Sequence, residues 1–322
     1  MAKITAGIIT AGGDAPGMNA AIRCCVRLLI SNNVEVFGIR RGFNGLLERD
    51  FEMMSSRSVS GIINLGGTIL KTSRCEEMKT ELGVEMAAKS LNDFSLDYLI
   101  VIGGDGSFRA AKDIANKSSV RMIGIPASID NDIVGTQETI GFDTAVNTAL
   151  HALDKIRDTA TSHERLFVVE VMGRERGFIA ITVGLAAGSE FILIPERPFV
   201  LDKLIEGYKE LKALGKSSTI IVMAEGATSG FKLTEELGRK VDAEVRFSSI
   251  GYIQRGGSPT VRSRVLANLF GQKAVECLLE GRKEVMTSIV NEEITVSPLE
   301  GIKRTLGDKE INMLNLVEKL AI

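Results

Sequence analysis

The sequence predicts an α/β fold with mainly parallel sheets. Three observations carry that prediction. Short apolar runs recur without the alternating polarity of a half-exposed strand, so each reads as a strand buried on both faces. Segments with apolar residues at steps of three or four follow them, which is helical spacing. Between the two lie turns rich in glycine and charge: Asp14, Asp105, Asp130, Arg174 and Glu225 each stand just after a strand-like run. In an open parallel sheet, that edge is where ligands sit. Eight or nine such strands can be counted, which suits two sheets.

In chain order, residues 3–10 form a first strand, and Gly12-Gly13-Asp14-Ala15-Pro16-Gly17 opens a helix to about Ile30. Asp14 suits an N-cap and Pro16 a first turn. Glycines there let a phosphate approach the helix N-terminus, or simply make the turn tight. Residues 34–39 form a second strand. Gly66-Gly67-Thr68 and Arg74 lie in a loop before a helix at 76–89. Strands follow at 96–102 and 121–125, then a helix at 142–160 in which Phe142, Val146, Ala149, Leu153 and Ile156 share a face. Further strands are expected at 165–171, 191–194, 219–224 and 247–253. Helices are expected from Met172-Gly173-Arg174 to 187, and at 201–214, 260–280 and 308–320. Gly281 suits the C-terminal end of the 260–280 helix.

The 322 residues allow one large domain or two of ordinary size. With 44% hydrophobic and 25% charged residues, the chain resembles an ordinary soluble globular protein. Its 39 basic and 41 acidic residues give a net charge of −2, so nothing argues for a nucleic-acid groove or a charged tail. The cysteines, Cys24, Cys25, Cys75 and Cys277, form no CxxC pair, and His151 and His163 are the only histidines. No structural zinc site is expected, and the expected location is the reducing cytoplasm. No apolar run approaches the ~18 residues of a membrane span. Residues 2–10 are apolar but end at Gly12-Gly13-Asp14, so they read as a strand and not as a signal peptide.

Two stretches carry the chemistry. Pro126 to Thr136 holds Asp130 and Asp132 with Asn131 between them, after a buried strand. These residues could cap a turn through their own backbone, or work in a ligand crevice. Gly103-Gly104-Asp105-Gly106-Ser107 ends another strand. A carboxylate flanked by glycines can hold Mg²⁺ while backbone N–H groups meet phosphate. Nucleotide-dependent kinases of several architectures use GGDG. Arg74, Arg165, Arg174, Arg246 and Arg255 lie at or near loop starts. Guanidinium groups grip phosphate oxygens bidentately, so the set suggests two phosphate-bearing ligands. Gly215-Lys216-Ser217 is no P-loop, because Glu210 stands where the first glycine belongs and a strand follows. There is no G-x-G-x-x-G fingerprint, and His163 is assigned no role.

Taken together, the sequence resembles the bacterial-type ATP-dependent 6-phosphofructokinases. The matching runs are Gly12 to Ala20, Gly103 to Ser107, Ile129-Asp130-Asn131-Asp132, Met172-Gly173-Arg174 and Gln254-Arg255-Gly256-Gly257-Ser258-Pro259, in family order over nearly the whole chain. The resemblance implies two similar Rossmann-like domains, a phosphofructokinase fold and a homotetramer. Residues 1–140 with 254–304 would bind ATP, and 141–253 with 305–322 the sugar phosphate. It implies Asp130 as general base on the 1-hydroxyl of fructose 6-phosphate, with Asp132 and Ser128 in support. Arg74 and Arg174 would act on the transferring phosphoryl group, and Asp105 would hold Mg²⁺. Gly13, Arg74, Cys75, Gly104, Asp105, Gly106 and Ser107 match ATP contacts. Ser128, Ile129, Asp130, Arg165, Met172, Gly173, Arg174, Glu225, Arg246, Tyr252, Ile253, Gln254 and Arg255 match sugar-phosphate contacts. In the family, Arg165 and Arg246 reach in from a neighbouring subunit. Arg23, Arg27, Arg157, Glu190 and Lys216 match a site for ADP or phosphoenolpyruvate.

The chain departs from the family pattern in places. Ala127-Ser128 stands for the usual Gly-Thr, and Tyr252 for a histidine; Ser56 and Ser218 replace an arginine and a histidine of the effector site. Tyrosine at 252 also occurs in pyrophosphate-dependent relatives. Those usually carry Asp at 106 and Lys at 127, so Gly106 and Ala127 favour ATP. The competing readings are a pyrophosphate-dependent phosphofructokinase, a catalytically silent sugar-phosphate-binding subunit, and a GGDG kinase of NAD or lipid. The last lacks the Ile129-to-Asp132 run.

Overall fold

The computed structural model of the chain describes residues 3–321; residues 1, 2 and 322, which the expected domain bounds include, lie outside them. In chain order the elements are β1 (Thr5–Ala11), α1 (Met18–Ser31), β2 (Glu35–Ile39), α2 (Phe43–Glu48), β3 (Phe51–Met53), α3 (Glu81–Asp93), β4 (Tyr98–Gly103) and α4 (Asp105–Ala115). Then come β5 (Arg121–Ser128), β6 (Ile140–Gly141), α5 (Phe142–Ser162), β7 (Leu166–Val171), α6 (Phe178–Ala186), β8 (Phe191–Leu193), α7 (Leu201–Ala213) and β9 (Thr219–Ala224). The chain ends with α8 (Gly230–Lys240), β10 (Val245–Ser249), α9 (Val261–Leu279), β11 (Val285–Val290), β12 (Glu293–Pro298) and α10 (Asp308–Leu320). No helix among the described residues is long and apolar enough to cross a membrane.

The chain divides into two compact units. One holds the residues up to Thr144 with Arg255–Arg304; the other holds Ala145–Gln254 with the residues from Thr305 on. The first unit's sheet runs β12-β11-β5-β4-β1-β2-β3, with β6 paired to β5. Its interior is parallel, and antiparallel strands β3 and β12 close the two edges. All six residues of β4 are buried, as expected where helices cover both faces. Leu99, Val101, Phe108 and Ile114 belong to that core. After β1 the chain builds β2 and β3 to one side, then crosses to β4 on the other. The reversal places a switch point between the carboxyl ends of β1 and β4, the position at which ligands bind in open α/β sheets. The second unit's sheet, β10-β7-β9-β8, is wholly parallel, with Leu166, Val168, Ile221 and Met223 in its core.

Several expectations are corrected. Asp14 does not cap α1: the helix starts at Met18, and Gly17 (φ 110°) holds the N-cap without a side-chain bond. A Cβ at Gly17 would come within 2.6 Å of Ile140 Cγ2, so close packing dictates the residue there. The segment 76–79 is a 3₁₀ turn, and α3 starts only after Thr80, whose side chain caps Gly83 N. The strand expected at 247–253 is β10 at Val245–Ser249; Gly251 (φ 57°) bends the chain into a 3₁₀ turn, Gly251–Arg255. The hairpin of β11 and β12 was not expected. Its two-residue turn, Asn291 (φ 50°) and Glu292 (φ 69°), has the left-handed geometry that matches strand twist, without the glycine that usually marks it. Strands β3 and β6 and helices α2 and α8 were also not expected.

Candidate active site

In the first unit, β1, β4 and β5 are neighbours and parallel, so Ala11, Gly103 and Ser128 end at one edge of the sheet. The run after β5 is buried: Asp130, Asn131 and Asp132 are 5%, 4% and 3% exposed. Burying such groups is unfavourable unless they are bonded. Asp130 N donates to Ser128 Oγ at 3.2 Å, and Ser128 Oγ donates to Asp132 Oδ1 at 3.4 Å. Asn131 is left-handed (φ 53°). Its Nδ2 donates to the Gln137 carbonyl at 3.1 Å. Thr139 Oγ1 donates to the Ser128 carbonyl at 2.5 Å and lies 3.3 Å from Asn131 Oδ1. Arg304 N donates to the Asp132 carbonyl at 2.7 Å, and Arg304 Nη1 to the Gln137 carbonyl at 2.8 Å. Ile129 is buried among them. Thr139 and Arg304 carry no motif, and nothing in the sequence singled them out.

The GGDG turn closes β4 and starts α4 at Asp105. Gly104 holds the N-cap without a side-chain bond, so the first-turn N–H groups of α4 have no side-chain partner there. A Cβ built on Gly104 or Gly106 would meet nothing within 4 Å, whereas one on Gly103 would lie 2.5 Å from the Ala11 carbonyl oxygen. Gly103 is therefore a packing glycine, and Gly104 and Gly106 border open space. Ser107 is buried, with Oγ against Gly12 and Gly103. The Asp105 side chain is 14% exposed, 3.8 Å from Arg109. A Cβ on Gly13 would fall 2.0 Å from Arg255 Nη2, so the Arg255 guanidinium lies over that glycine. Arg74 is exposed in the loop before the 3₁₀ turn, and its carbonyl accepts from Asn44 Nδ2 at 3.2 Å. Beside it, burial pushes the Cys75 thiol up to about 11, with the Glu77 carboxylate adding to the shift. Among the described residues no group of three or more His, Cys, Asp or Glu could hold a metal ion by itself.

In the second unit, β7 and β9 are adjacent, which brings Met172-Gly173-Arg174 beside Glu225 at their carboxyl ends. Arg174 N donates to Glu225 Oε1 at 2.8 Å, and Met172 N to Gln254 Oε1 at 3.0 Å. Gly173 (φ 138°) and Arg174 (φ 52°) make the turn. Gln254 is fully buried, while Tyr252 and Ile253 are exposed. Arg165 and Arg246 do not join this group. Arg165 precedes β7, and Arg246 pairs with Phe167 in β10 next to β7, at the amino end of the sheet. One strand of this length separates them from Arg174 by roughly 20 Å. Both arginines hold Glu244: Arg165 Nε lies 2.5 Å from Glu244 Oε2, and Arg246 pairs with Oε1. The hydrogen bond from Arg165 is the main cause that holds the Glu244 carboxyl below its usual value.

Of the expected effector residues, Arg23 and Arg27 line a cavity of about 320 Å³ in the first unit, with Asn268 and Gln272 of α9. In the second unit Glu190 is buried. It accepts from Ile220 N at 2.6 Å and faces Lys216 at 3.0 Å and Arg157 at 3.6 Å. Arg157 Nη2 also donates to the Ala187 and Gly188 carbonyls just after α6. Ser218 lies 3.4 Å from Thr161, and Ser56 is exposed.

Comparison with known proteins bears on what these edges do. The phosphofructokinase (PFK) family model matches residues 5–278. The chain is 46% identical over 316 residues to the ATP-dependent 6-phosphofructokinase of Shouchella clausii, covering 98% of this chain and 99% of that protein. The enzyme of the same name from Clostridioides difficile is 49% identical over 290 residues, covering 90% and 91%. Among solved structures, the phosphofructokinase of Saccharomyces cerevisiae superposes with a TM-score of 0.85 at 31% identity; the match covers 98% of this chain and 46% of the yeast chain, so this chain spans about half its length. A pyrophosphate-dependent phosphofructokinase from Marinobacter aquaeolei gives a TM-score of 0.81 at 21% identity, a likeness of fold alone, over 98% and 91% of the two chains.

Proposed function

The chain belongs to the phosphofructokinase family, and from that premise we propose that it transfers the γ-phosphoryl group of ATP to the 1-hydroxyl of fructose 6-phosphate, giving fructose 1,6-bisphosphate and ADP. One observation carries the reading: within one unit, a buried pair of carboxylates ends β5 beside a glycine-lined acidic turn that ends β4. Phosphoryl transfer needs a placed hydroxyl, a base and donors to the phosphates, and little covalent chemistry from the protein. Asp130 takes the proton of the 1-hydroxyl. Ser128 accepts from Asp130 N, which leaves its own proton to Asp132, and so the hydroxyl helps hold both acids in place. Arg74 and Arg174 spread the charge that develops on the phosphoryl oxygens.

The nucleotide lies along Gly13, Arg74, Cys75 and Gly104 to Ser107 in this reading, because Gly104 and Gly106 leave the turn open to phosphate. The residues 1–140 with 254–304 thus serve ATP, and 141–253 with 305–322 the sugar phosphate through Met172, Gly173, Arg174, Glu225, Tyr252 and Ile253, joined by Ser128, Ile129, Asp130, Gln254 and Arg255. The residues fit Mg²⁺ held by one protein carboxylate, Asp105, together with substrate oxygens, the usual arrangement for this ion. When bound it neutralises charge on the donor phosphates. Arg165 and Arg246, at the far edge of their sheet, serve a neighbouring subunit of a homotetramer. ADP or phosphoenolpyruvate is the effector at Arg23, Arg27, Arg157, Glu190 and Lys216. Four free thiols suit a cytoplasmic location. The test is a comparison of initial rates with ATP and with pyrophosphate, at saturating Mg²⁺ and fructose 6-phosphate. A higher kcat/KM for ATP is expected; a higher value for pyrophosphate overturns the donor assignment, and no transfer from either overturns the reaction.

A further inference from the structure

We infer that Asn131 and Arg304 form a positioning clamp that sets the directions of the two acids, Asp130 and Asp132, between which Asn131 stands. The inference rests on the phosphoryl-transfer reading above. Residues two apart share a face in an extended strand. Here the intervening residue is left-handed (φ 53°), so the relative aim of the two carboxylates depends on one residue's backbone. Asn tolerates that region better than most side chains.

The clamp is visible in the acceptors. The Gln137 carbonyl receives two donors, Asn131 Nδ2 at 3.1 Å and Arg304 Nη1 at 2.8 Å. These use both lone pairs of that oxygen. Arg304 N takes the Asp132 carbonyl at 2.7 Å, so Arg304 holds the chain at Asp132 and again five residues on. The far side of Gln137 is equally tied. Its N–H donates to the Ile289 carbonyl at 2.9 Å, and its Oε1 accepts from Asn291 N at 2.8 Å, which anchors the loop to β11 and its hairpin turn. Thr139, through the Ser128 carbonyl, fixes the start of the same loop. Asn131 and Thr139 are buried at the inner end of this network, while Gln137 and Arg304 close it toward solvent, so the loop is held at several points along its length. Asn131 is 4% exposed and its side chain faces the loop carbonyl, so its contribution passes through the acids on either side.

The test is Asn131→Gly, which keeps the left-handed backbone available and removes the amide. A misplacement of order 1 Å costs up to about 10²-fold, so kcat is expected to fall about 10–100-fold with the KM for fructose 6-phosphate little changed. The same substitution in an Asp130→Asn background is expected to cost little further, because the base it positions is already gone. Equal losses in both backgrounds, or a kcat for Asn131→Gly within about twofold of wild type, would overturn the clamp. If Asn131→Gly does not fold, the cycle is read with Arg304→Lys, which keeps the charge and loses the planar fork. Failure of the clamp leaves wild-type transfer from ATP intact, whereas failure of the function removes it.

Discussion

The carboxyl edge of the first unit's sheet and the amino edge of the second unit's sheet hold charge in opposite ways. At the first, Asp130 and Asp132 are buried, in a turn whose backbone is tied to Ser128, Gln137, Thr139 and Arg304. At the second, Arg165 and Arg246 share a single exposed partner, Glu244. Buried charge must be bonded or it destabilises the fold, so the first arrangement is built in advance and rigid. A surface trio is screened by water and contributes little, so its arginines can leave Glu244 for another anion at small cost. The difference separates a buried turn fixed by its own backbone bonds from a pair of cations held by an exchangeable ion pair.

The largest effect that would break this comparison is at Asp130. Asp130→Asn is expected to lower kcat by about 10²–10⁴-fold, the usual weight of a general base, with fructose 6-phosphate still bound in a direct titration. Wild-type turnover would remove the acid pair from the chemistry. Next is the pair of cations. Loss of a hydrogen bond to a charged group costs about 1.5–3 kcal/mol, so Arg246→Ala should raise the fructose 6-phosphate KM about ten- to hundredfold. Mixing Arg246→Ala with Asp130→Asn subunits should then restore part of the activity. Confirmed subunit exchange without recovery would show that Arg246 serves no neighbour.

A smaller effect tests the open turn. Gly106→Asp sets a carboxylate where the α-phosphate would pass. Like charges about 4 Å apart cost on the order of 1–4 kcal/mol at effective dielectrics of 80 to 20, so the ATP KM should rise at least several-fold, and pyrophosphate use should change less. The smallest effect concerns Glu244. Its carboxyl is held below the ordinary value of 4.5, chiefly by the Arg165 hydrogen bond. A depressed carboxyl adds stability above the unfolded-state value and loses it as pH falls through the folded-state value. Glu244→Gln should therefore melt slightly below wild type at neutral pH. The two melting curves should converge in acid below about pH 4.5; a gap that persists there would mean the carboxylate charge is not what holds the arginines.

Much of this was legible in the sequence where one residue type has one physical use. Unbroken apolar runs such as 98–103 can hardly lie elsewhere than in a doubly covered sheet, and Gly104 with Gly106 after such a run marks an open turn. The acid pair was legible as a polar turn after a buried strand, one that could cap itself or meet a ligand. Its support was not. Thr139 and Arg304 are ordinary residues whose bonds depend on where a distant segment returns, and no local spacing encodes that. The β11–β12 hairpin escaped because β12 is half-exposed and its turn carries Asn291-Glu292 in place of a glycine pair. Asp14 misled because an acid near a helix start usually caps it, whereas the tight contact of Gly17 with Ile140 decides where α1 begins.

The split of the first unit has a consequence for how the protein is made. Strand β5 has β11 along one side, and α1 packs on α9; both partners come from Arg255–Arg304. A ribosome must therefore translate all of Ala145–Gln254 before the first unit can close. At about 5–20 residues per second the delay is on the order of ten seconds. During it, the edge of β5 and the apolar face of α1 stand uncovered, open to pairing with a neighbouring nascent chain. The second unit suffers a shorter wait, only for α10. A chain stalled near Gln254 would carry a sheet bearing Asp130 and Asp132 but lacking the Arg304 that bonds their loop, so aggregation is its expected fate.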